Sequence, residues 1–358
     1  MAEKIGKPKV LESKRSSPLQ SLVRIALTLL VLYLIFGVLI PEFADYAEIW
    51  DAIQQLDVAA AAGLVGLVLI IESLKSTPPV ILIHRLGLRQ SFLAQETSAL
   101  ISNTVPGPSG TASRYVTYRR FGLTTEDFGR STIVNGLWNN AIVLLLPTAA
   151  IGLLATQRDI PGKVLVLVLA GLVITLAGIV VAGLILHSEA FARRIGAGTG
   201  RTVNWARGLA KQEPSPQDYA QAVVDFRFDL RDSIQRHWLG LTSAIATKEI
   251  TTFVVLLLSL RAVGAGRITL TAIDIFAVYA FVRLLTIIEI TPGGVGVTEA
   301  LYISSLMWAS GGAAENEIVG GVFLFRMFTY LGPILLGMAC WPVLGRMLRR
   351  ADAAQPTT

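Results

Sequence analysis

Long apolar stretches, separated by short polar segments, run along most of the chain. Residues 22–40, residues 164–186 and most of residues 318–344 are nearly continuous hydrophobic sequence. Each is long enough to cross a hydrocarbon core, which takes roughly 20 helical residues. A helix satisfies its backbone hydrogen bonds internally and can therefore span a bilayer. The pattern predicts an all-α polytopic membrane protein.

Two further segments are apolar but interrupted, each by a Pro-Gly pair. Residues 91–105 are short and carry several polar side chains, and residues 271–307 are broken near the middle. Irregular backbone is tolerated at membrane depth only where protein or a water-filled cavity surrounds it. We therefore predict one re-entrant hairpin in each half, with full spans as the alternative. The predicted breaks comprise Pro106, Gly107, Gly110, Pro292, Gly293, Gly294 and Gly296.

The interrupted segments indicate an inverted internal repeat. A spacing of 41 residues separates Pro106 from Pro147, and the same spacing separates Pro292 from Pro333. Inverted repeats with breaks in matching positions indicate a binding site near the bilayer midplane. The predicted organisation is a basic tail (1–20), a membrane domain (21–345) holding repeats at 58–155 and 239–345 around a loop with an amphipathic helix (188–236), and a second tail (346–358).

Charge adds an orientation to this architecture. The chain is 53% hydrophobic and 16% charged, with a formal net charge of +6. With the hairpins in place, the predicted inside segments hold 23 Lys and Arg residues and the outside loops hold 4. By the positive-inside rule, both termini are predicted to be cytoplasmic. The basic balance indicates orientation and not nucleic-acid binding.

Local signals predict where several helices begin. Thr124-x-x-Asp127 has the form of a capping box, and Asp274 is expected to cap a helix together with Thr271. Ser215-Pro216 predicts the start of the amphipathic helix in the loop of residues 188–236, with a packed cytoplasmic turn as the alternative. The next span is predicted at residues 239–260.

Charged residues inside the predicted membrane segments are functional candidates, because burying a charge there costs several kcal/mol. Glu72 and Lys75 are three residues apart and can simply neutralise each other. Lys248 and Glu249 are adjacent, so we expect their side chains to point in different directions and not to pair. At least one of them must then face a partner, a cavity or a substrate.

The second half contributes two buried arginines and two acids. Arg326 lies too deep in the last helix to reach water and needs a carboxylate, for which Glu289 and Glu299 are the candidates. Glu299 is also placed to stabilise a helix N-terminus. Arg283 can likewise pair with an acid or bind a lipid phosphate.

In the first half, polar residues surround the break. Asn103 precedes it and Arg114 follows it. Exposed backbone N–H groups beside an arginine suit a phosphate or carboxylate. The alternative is that the glycines only permit a tight turn.

The two breaks carry a family resemblance. The first reads Asn103-x-x-Pro106-Gly107-x-x-Gly110-x-x-x-Arg114, and the second reads Pro292-Gly-Gly-Val-Gly-Val-Thr-Glu299-Ala. They resemble the lysylphosphatidylglycerol synthase transmembrane family, the flippase-like domain also found in the multiple peptide resistance factor. One departure is Thr111, which stands where the first motif commonly has an acid. The resemblance implies movement of lipids or lipid-linked groups between leaflets, and we expect a stand-alone member without the aminoacyl-transferring domain.

The leading hypothesis is a non-enzymatic flippase or scramblase whose partners are phospholipids or polyprenyl-linked lipids. An ion-coupled transporter of a small solute is one alternative, and an intramembrane lipid-modifying enzyme is another. Against the enzyme, the sequence has neither H-E-x-x-H nor G-x-S-x-G. With one cysteine and three scattered histidines, no metal site or cofactor is predicted. Homo-oligomerisation stays open.

Overall fold

The computed structural model describes residues 57–104, 108–157, 219–263, 269–287 and 292–354, with isolated positions between 173 and 201. These residues are helical and contain no strand. The helices are α1 (Val58–Leu82), α2 (Leu88–Thr104), α3 (Ser109–Arg120), α4 (Thr125–Leu154), α5 (Tyr219–Val263), α6 (Ala272–Leu285), α7 (Val297–Ala309), α8 (Glu315–Arg326) and α9 (Gly332–Ala354). A 3-10 turn (Pro292–Gly294) precedes α7, and a π-helical segment (Met327–Leu331) joins α8 to α9.

Four helical stretches in the described residues are long and apolar enough to cross a membrane. They are α1, α4, the part of α5 at Ile234–Val263, and the run Glu315–Arg350 through the π segment. Large apolar side chains on α1, including Val65, Leu69 and Ile70, are exposed. The all-helical membrane architecture is therefore confirmed. The predicted spans at residues 22–40 and 164–186 lie outside the described residues.

Capping boxes begin two of these helices, as predicted. At the start of α4, Asp127 N donates to Thr124 Oγ1 at 3.0 Å and Thr124 N donates to Asp127 Oδ2 at 3.3 Å. At the start of α6, Thr271 N donates to Asp274 Oδ2 at 3.0 Å. Each box satisfies N–H groups that the first turn of a helix leaves without an intrahelical partner.

One helix boundary differs from the prediction. The amphipathic helix of the 188–236 loop and the span at 239–260 form a single 45-residue helix, α5. No proline interrupts the sequence between residues 219 and 263, and Gly240 is tolerated because it lies against Ile81 of α1, where a Cβ would be 3.2 Å from Ile81 Cδ1. Nothing in the sequence therefore stops the helix at the predicted boundary.

The two predicted breaks differ in how their glycines are used. In the second, Gly293, Gly294 and Gly296 have positive φ angles of 61°, 68° and 83°, a backbone region that favours glycine. In the first, α2 ends at Thr104 and α3 begins at Ser109, so Gly110 lies inside α3 and not in the break. A Cβ on Gly110 would lie 2.7 Å from Ser102 Cβ, because α3 packs closely on α2 there.

The packing places α5 at the centre of the described residues. It contacts α1, α4 and α8, while α2 packs between α1, α3 and α9, and α6 lies against α4 and α7. Leu256, Leu260, Tyr279 and Tyr302 are fully or almost fully buried in the main apolar cluster. The remaining space between α1, α2, α5 and the second break is the cavity described next.

Candidate functional site

A cavity of about 550 Å³ lies among the membrane helices. Its walls come from each of the helices α1 to α9, from the second break and from the π segment. Cations dominate its charged lining, which comprises Glu72, Lys75, Arg114, Lys248, Arg283 and Arg326. Five positive side chains and one acid therefore line the same cavity.

Glu249 of α5 holds two of these cations in place. Its carboxylate is 1% exposed and accepts from Arg283 Nε at 3.0 Å and from Arg283 Nη2 at 2.8 Å. Tyr279 donates its hydroxyl to the same carboxylate at 2.5 Å. Paired parallel N–H···O bonds of this kind give an arginine both charge neutralisation and a fixed direction. Glu249 itself lies behind the cavity wall.

Lys248 also binds Glu249, which corrects the sequence prediction. Lys248 Nζ is 2.7 Å from Glu249 Oε1 and donates to Asn139 Oδ1 of α4 at 2.6 Å. The Cβ atoms of adjacent helical residues do point apart, as the prediction assumed. However, the flexible four-carbon stem of lysine lets its ammonium turn back toward its neighbour.

Glu72 of α1 is equally buried but has a different set of partners. It is 1% exposed, and Lys75 Nζ binds its Oε1 atom at 2.7 Å, so the predicted neutralisation within one helical turn is confirmed. Glu72 Oε2 has no hydrogen-bond donor among the described residues. Glu96, on α2, is an electrostatic neighbour of Glu72.

The Glu96 carboxyl group was not predicted as part of any site. It is 0% exposed, and neither of its oxygens has a donor among the described residues. The approach of α9 explains this burial, since a Cβ on Gly337 would lie 2.6 Å from the Glu96 carbonyl oxygen. From the sequence, Glu96 was only one of several polar residues in a weak membrane segment.

Arg326 has the partner that the sequence predicted for it. Arg326 Nε donates to Glu299 Oε1 at 2.5 Å, and Arg326 Nη2 donates to the Gly293 carbonyl oxygen at 2.8 Å. The other oxygen of Glu299 accepts from Gly296 N at 2.7 Å at the start of α7. Glu299 therefore serves both of its predicted roles, as a helix-terminal acid and as the arginine partner. The other candidate, Glu289, lies outside the described residues.

Tyr330, in the π segment, connects the end of α2 to the second break. Its hydroxyl donates to the Asn103 carbonyl oxygen at 3.0 Å, and its ring lies 5.2 Å from the Arg326 guanidinium. A Cβ on Gly293 would lie 2.3 Å from the Tyr330 ring and 3.1 Å from Asn103 Oδ1. The residue preceding the first break and the middle of the second break thus meet at one tyrosine, which the sequence did not single out.

Arg114 occupies the wall formed by α3. It donates to Gln95 Oε1 of α2 at 2.7 Å, and its guanidinium lies 6.0 Å from the centre of the Phe128 ring. This residue faces the cavity beside Asn103, as a site around the first break requires. Pro106 and Gly107 of that break lie outside the described residues.

The structure brings together most of the residues that the sequence proposed. Those that line the cavity are Glu72, Asn103, Gly110, Arg114, Lys248, Arg283, Gly293, Gly294 and Arg326. Glu249 and Glu299 lie behind the wall and bind cations that line it. Whether these residues bind a substrate stays a prediction.

Comparison with known families gives this cavity a context. The profile described as "Lysylphosphatidylglycerol synthase TM region" matches residues 21–337. The chain belongs to that family. The resemblance seen in the two breaks is therefore confirmed, and membership indicates a membrane protein with a lipid-related function. A comparison with curated proteins found no significant match.

Proposed function

We propose that the protein is a lipid flippase or scramblase, which moves phospholipids or lipid-linked head groups between the leaflets of the bacterial inner membrane. The observation that carries the proposal is the cavity with five cationic side chains and one acid, within a membrane protein of a lipid-related family. Phospholipid head groups contain a phosphate, and arginine and lysine are the side chains that bind phosphate best.

Arg283 and Arg326 are held in place through two of their three guanidinium nitrogens, as far as the described residues show. Arg283 binds Glu249 through Nε and Nη2, and Arg326 binds Glu299 and Gly293 through the same two nitrogens. A guanidinium carries five N–H donors, so the Nη1 group of each can bind a head group. Partial neutralisation by Glu249 and Glu299 also limits how tightly an anion binds, and a transport site must release its substrate.

The size of the cavity suits a head group and not a whole lipid. A volume of about 550 Å³ falls within the range of roughly 300–1,000 Å³ found for small-molecule sites. We propose that acyl chains stay in the bilayer while the polar group crosses. Thr111 lines the cavity, so the absence of the acid common at this position leaves the cavity more positive.

The proposed path uses both Pro-Gly breaks as re-entrant hairpins of an inverted repeat, with both chain termini in the cytoplasm. The contact between Asn103 and Gly293 supports this arrangement, since it joins the two halves beside the cavity. We propose that the protein transports its substrate without catalysing a reaction. A single copy of the chain is sufficient for this path.

Reconstitution into liposomes tests the function. Lipids with fluorescent head groups of several classes are included, and an outer-leaflet quencher reports how many cross. Purified protein is expected to exchange at least one anionic class faster than empty liposomes do. If no head-group class exchanges, the flippase proposal is wrong, and uptake of a small anion under the same conditions would favour the solute transporter.

Variants then test the site. Arg326→Ala and Glu289→Gln are expected to slow lipid exchange, because the first removes a cation from the cavity and the second removes an acid from the predicted site. Arg350→Ala is the matched control, since Arg350 is an exposed arginine at the end of α9, away from the cavity lining. Exchange at the unaltered rate in both site variants would show that the assigned site is wrong even if the function stands.

A further inference from the structure

Glu96 and Glu72 form a buried carboxyl pair at the edge of the cavity, and the proposed function assigns no role to Glu96. Glu96 does not line the cavity, and its side chain is 0% exposed. Three of the four carboxyl oxygens in the pair have no hydrogen-bond donor among the described residues. An ionised carboxylate only accepts hydrogen bonds. Glu72 and Glu96 can therefore form a hydrogen bond to each other only if one of them carries a proton.

The charges around Glu96 do not supply a second cation. Within the part of the chain that the structure describes, Glu72 and Lys75 of α1 and Cys340 of α9 are its titratable neighbours. On α3, Arg114 donates to Gln95 instead, and the described 3-10 turn of the second break, Pro292–Gly294, contains only proline and glycine. Lys75 is already bound to Glu72.

Charge balance then decides the state of the pair. Two carboxylates beside one lysine leave one negative charge uncompensated, and an uncompensated charge buried at 0% exposure is strongly unfavourable. A proton held between the two oxygens removes that charge and supplies the missing donor. The Glu96 carboxyl group, which has no donor among the described residues, therefore indicates a bound ligand. A proton is the ligand that fits.

We propose that Glu72 and Glu96 bind one proton and exchange it with the cavity. Glu72 and Lys75 line the cavity and Glu96 does not, so the proton enters and leaves at Glu72. On the opposite side, Gly337 lets α9 pack closely on α2 at Glu96, whose side chain is 0% exposed.

The site gives the proposed transport a source of energy, an inference that rests on the flippase function. An anionic head group bound beside Lys75 competes with Glu72 for that ammonium. Glu72 then loses its cation, and the carboxyl pair binds its proton more tightly. By linkage, the proton in turn strengthens binding of the anion. The expected coupling is therefore movement of the anionic head group together with a proton.

Infrared difference spectroscopy on the full chain in lipid nanodiscs tests the proton site directly. The C=O stretching band of a protonated carboxylic acid is expected in the wild type, shifted by exchange into deuterated water, and lost in Glu96→Gln. The glutamine keeps the shape of the side chain and supplies its own N–H donor to Glu72. Glu126→Gln, at an exposed position in the first turn of α4, is the control and should keep the band. Absence of the band in the wild type, or its persistence in both Glu96→Gln and Glu72→Gln, would overturn the proposal.

A pH gradient across the liposomes tests the coupling. In the wild type and in Glu126→Gln, the rate of lipid exchange with the gradient should exceed the rate without it. In Glu96→Gln the ratio of the two rates should fall to unity. A wild-type rate that ignores the gradient while the band is present would overturn the coupling. Absence of lipid exchange with the band present would instead refute the proposed function and leave the proton site standing.

Discussion

Glu72 on α1 and Glu249 on α5 are both 1% exposed, yet their surroundings are opposite. Glu249 is bound by Arg283, Lys248 and Tyr279, so its charge is over-compensated and its geometry is fixed. Glu72 shares a single lysine with another acid. The difference teaches that one buried acid is a structural anchor for cations, while the other belongs to a pair whose charge can change.

The largest expected effect comes from removing the anchor. Glu249→Gln leaves Arg283 and Lys248 as buried cations without their carboxylate, and breaking a buried pair from one side costs about 3–5 kcal/mol. Because Arg283 is 31% exposed to the cavity, the lower end of that range is expected. Thermal unfolding in detergent should show a large loss of stability, and Glu72→Gln should show a much smaller one. Equal losses in the two variants would remove the distinction between the acids.

The second largest loss of stability is expected for Gly293→Ala, which tests the contact between the two halves at the second break. The alanine must adopt a φ near +61° and place its Cβ within 2.3 Å of the Tyr330 ring. Strain of this backbone kind costs about 1–3 kcal/mol, and overpacking adds a similar amount. Gly122→Ala is the control, because its φ of +82° is as unfavourable but nothing lies within 4 Å. The difference between their thermal stabilities isolates the contact with Tyr330.

Gly337→Ala probes the packing that buries Glu96. Its Cβ would lie 2.6 Å from the Glu96 carbonyl oxygen and from Leu100 Cβ, so a loss of about 1–3 kcal/mol is expected. Gly66→Ala, within α1, has nothing within 4 Å and should be neutral or stabilise by up to about 1 kcal/mol, since alanine favours helix. The free energy of unfolding of each variant is the measurement that tests this difference. Equal values for the two variants would mean that α9 does not pack closely on α2 at Gly337.

The smallest effect is expected for Lys248→Met. Arg283 still binds Glu249 through two hydrogen bonds, so the carboxylate stays neutralised and a loss of about 1 kcal/mol or less is expected. Lipid exchange should slow, because one cation leaves the cavity lining. A stability loss as large as that of Glu249→Gln would show that Lys248, and not Arg283, is the main partner that stabilises the Glu249 carboxylate.

Local signals in the sequence were sufficient for several helix starts and for two ion pairs, Glu72–Lys75 and Arg326–Glu299. The capping boxes at Thr124 and Thr271 depend on residues three apart, and α1 begins with an apolar run from Val58 to Ile71. The partner of Arg326 was predictable because an arginine so deep in a membrane helix must have a carboxylate, and few were available.

The features that were not predicted from the sequence depend mostly on contacts between residues far apart along the chain. Glu96 is buried where α2 packs against α1 and against α9, whose Gly337 is more than 200 residues further along the chain. Tyr330 reaches Asn103 because the π segment directs it there. The pairing of Lys248 with Glu249 depends on the conformation of a flexible side chain, and Gly110 is a packing residue that looked like a turn residue. None of these features can be predicted from the spacing of residue types along the sequence.

The π segment Met327–Leu331 also fixes the angular relation between two faces of one membrane helix. Before it, Gly321 of α8 lies against Leu260 of α5, and after it, Gly337 of α9 lies against α2. Successive residues of an α helix are rotated by about 100°, so deleting one residue from the segment would turn α9 by about that angle relative to α8. The two glycines could then no longer face their neighbours at the same time. The number of residues in this span, and not only their identity, therefore determines which helices it joins.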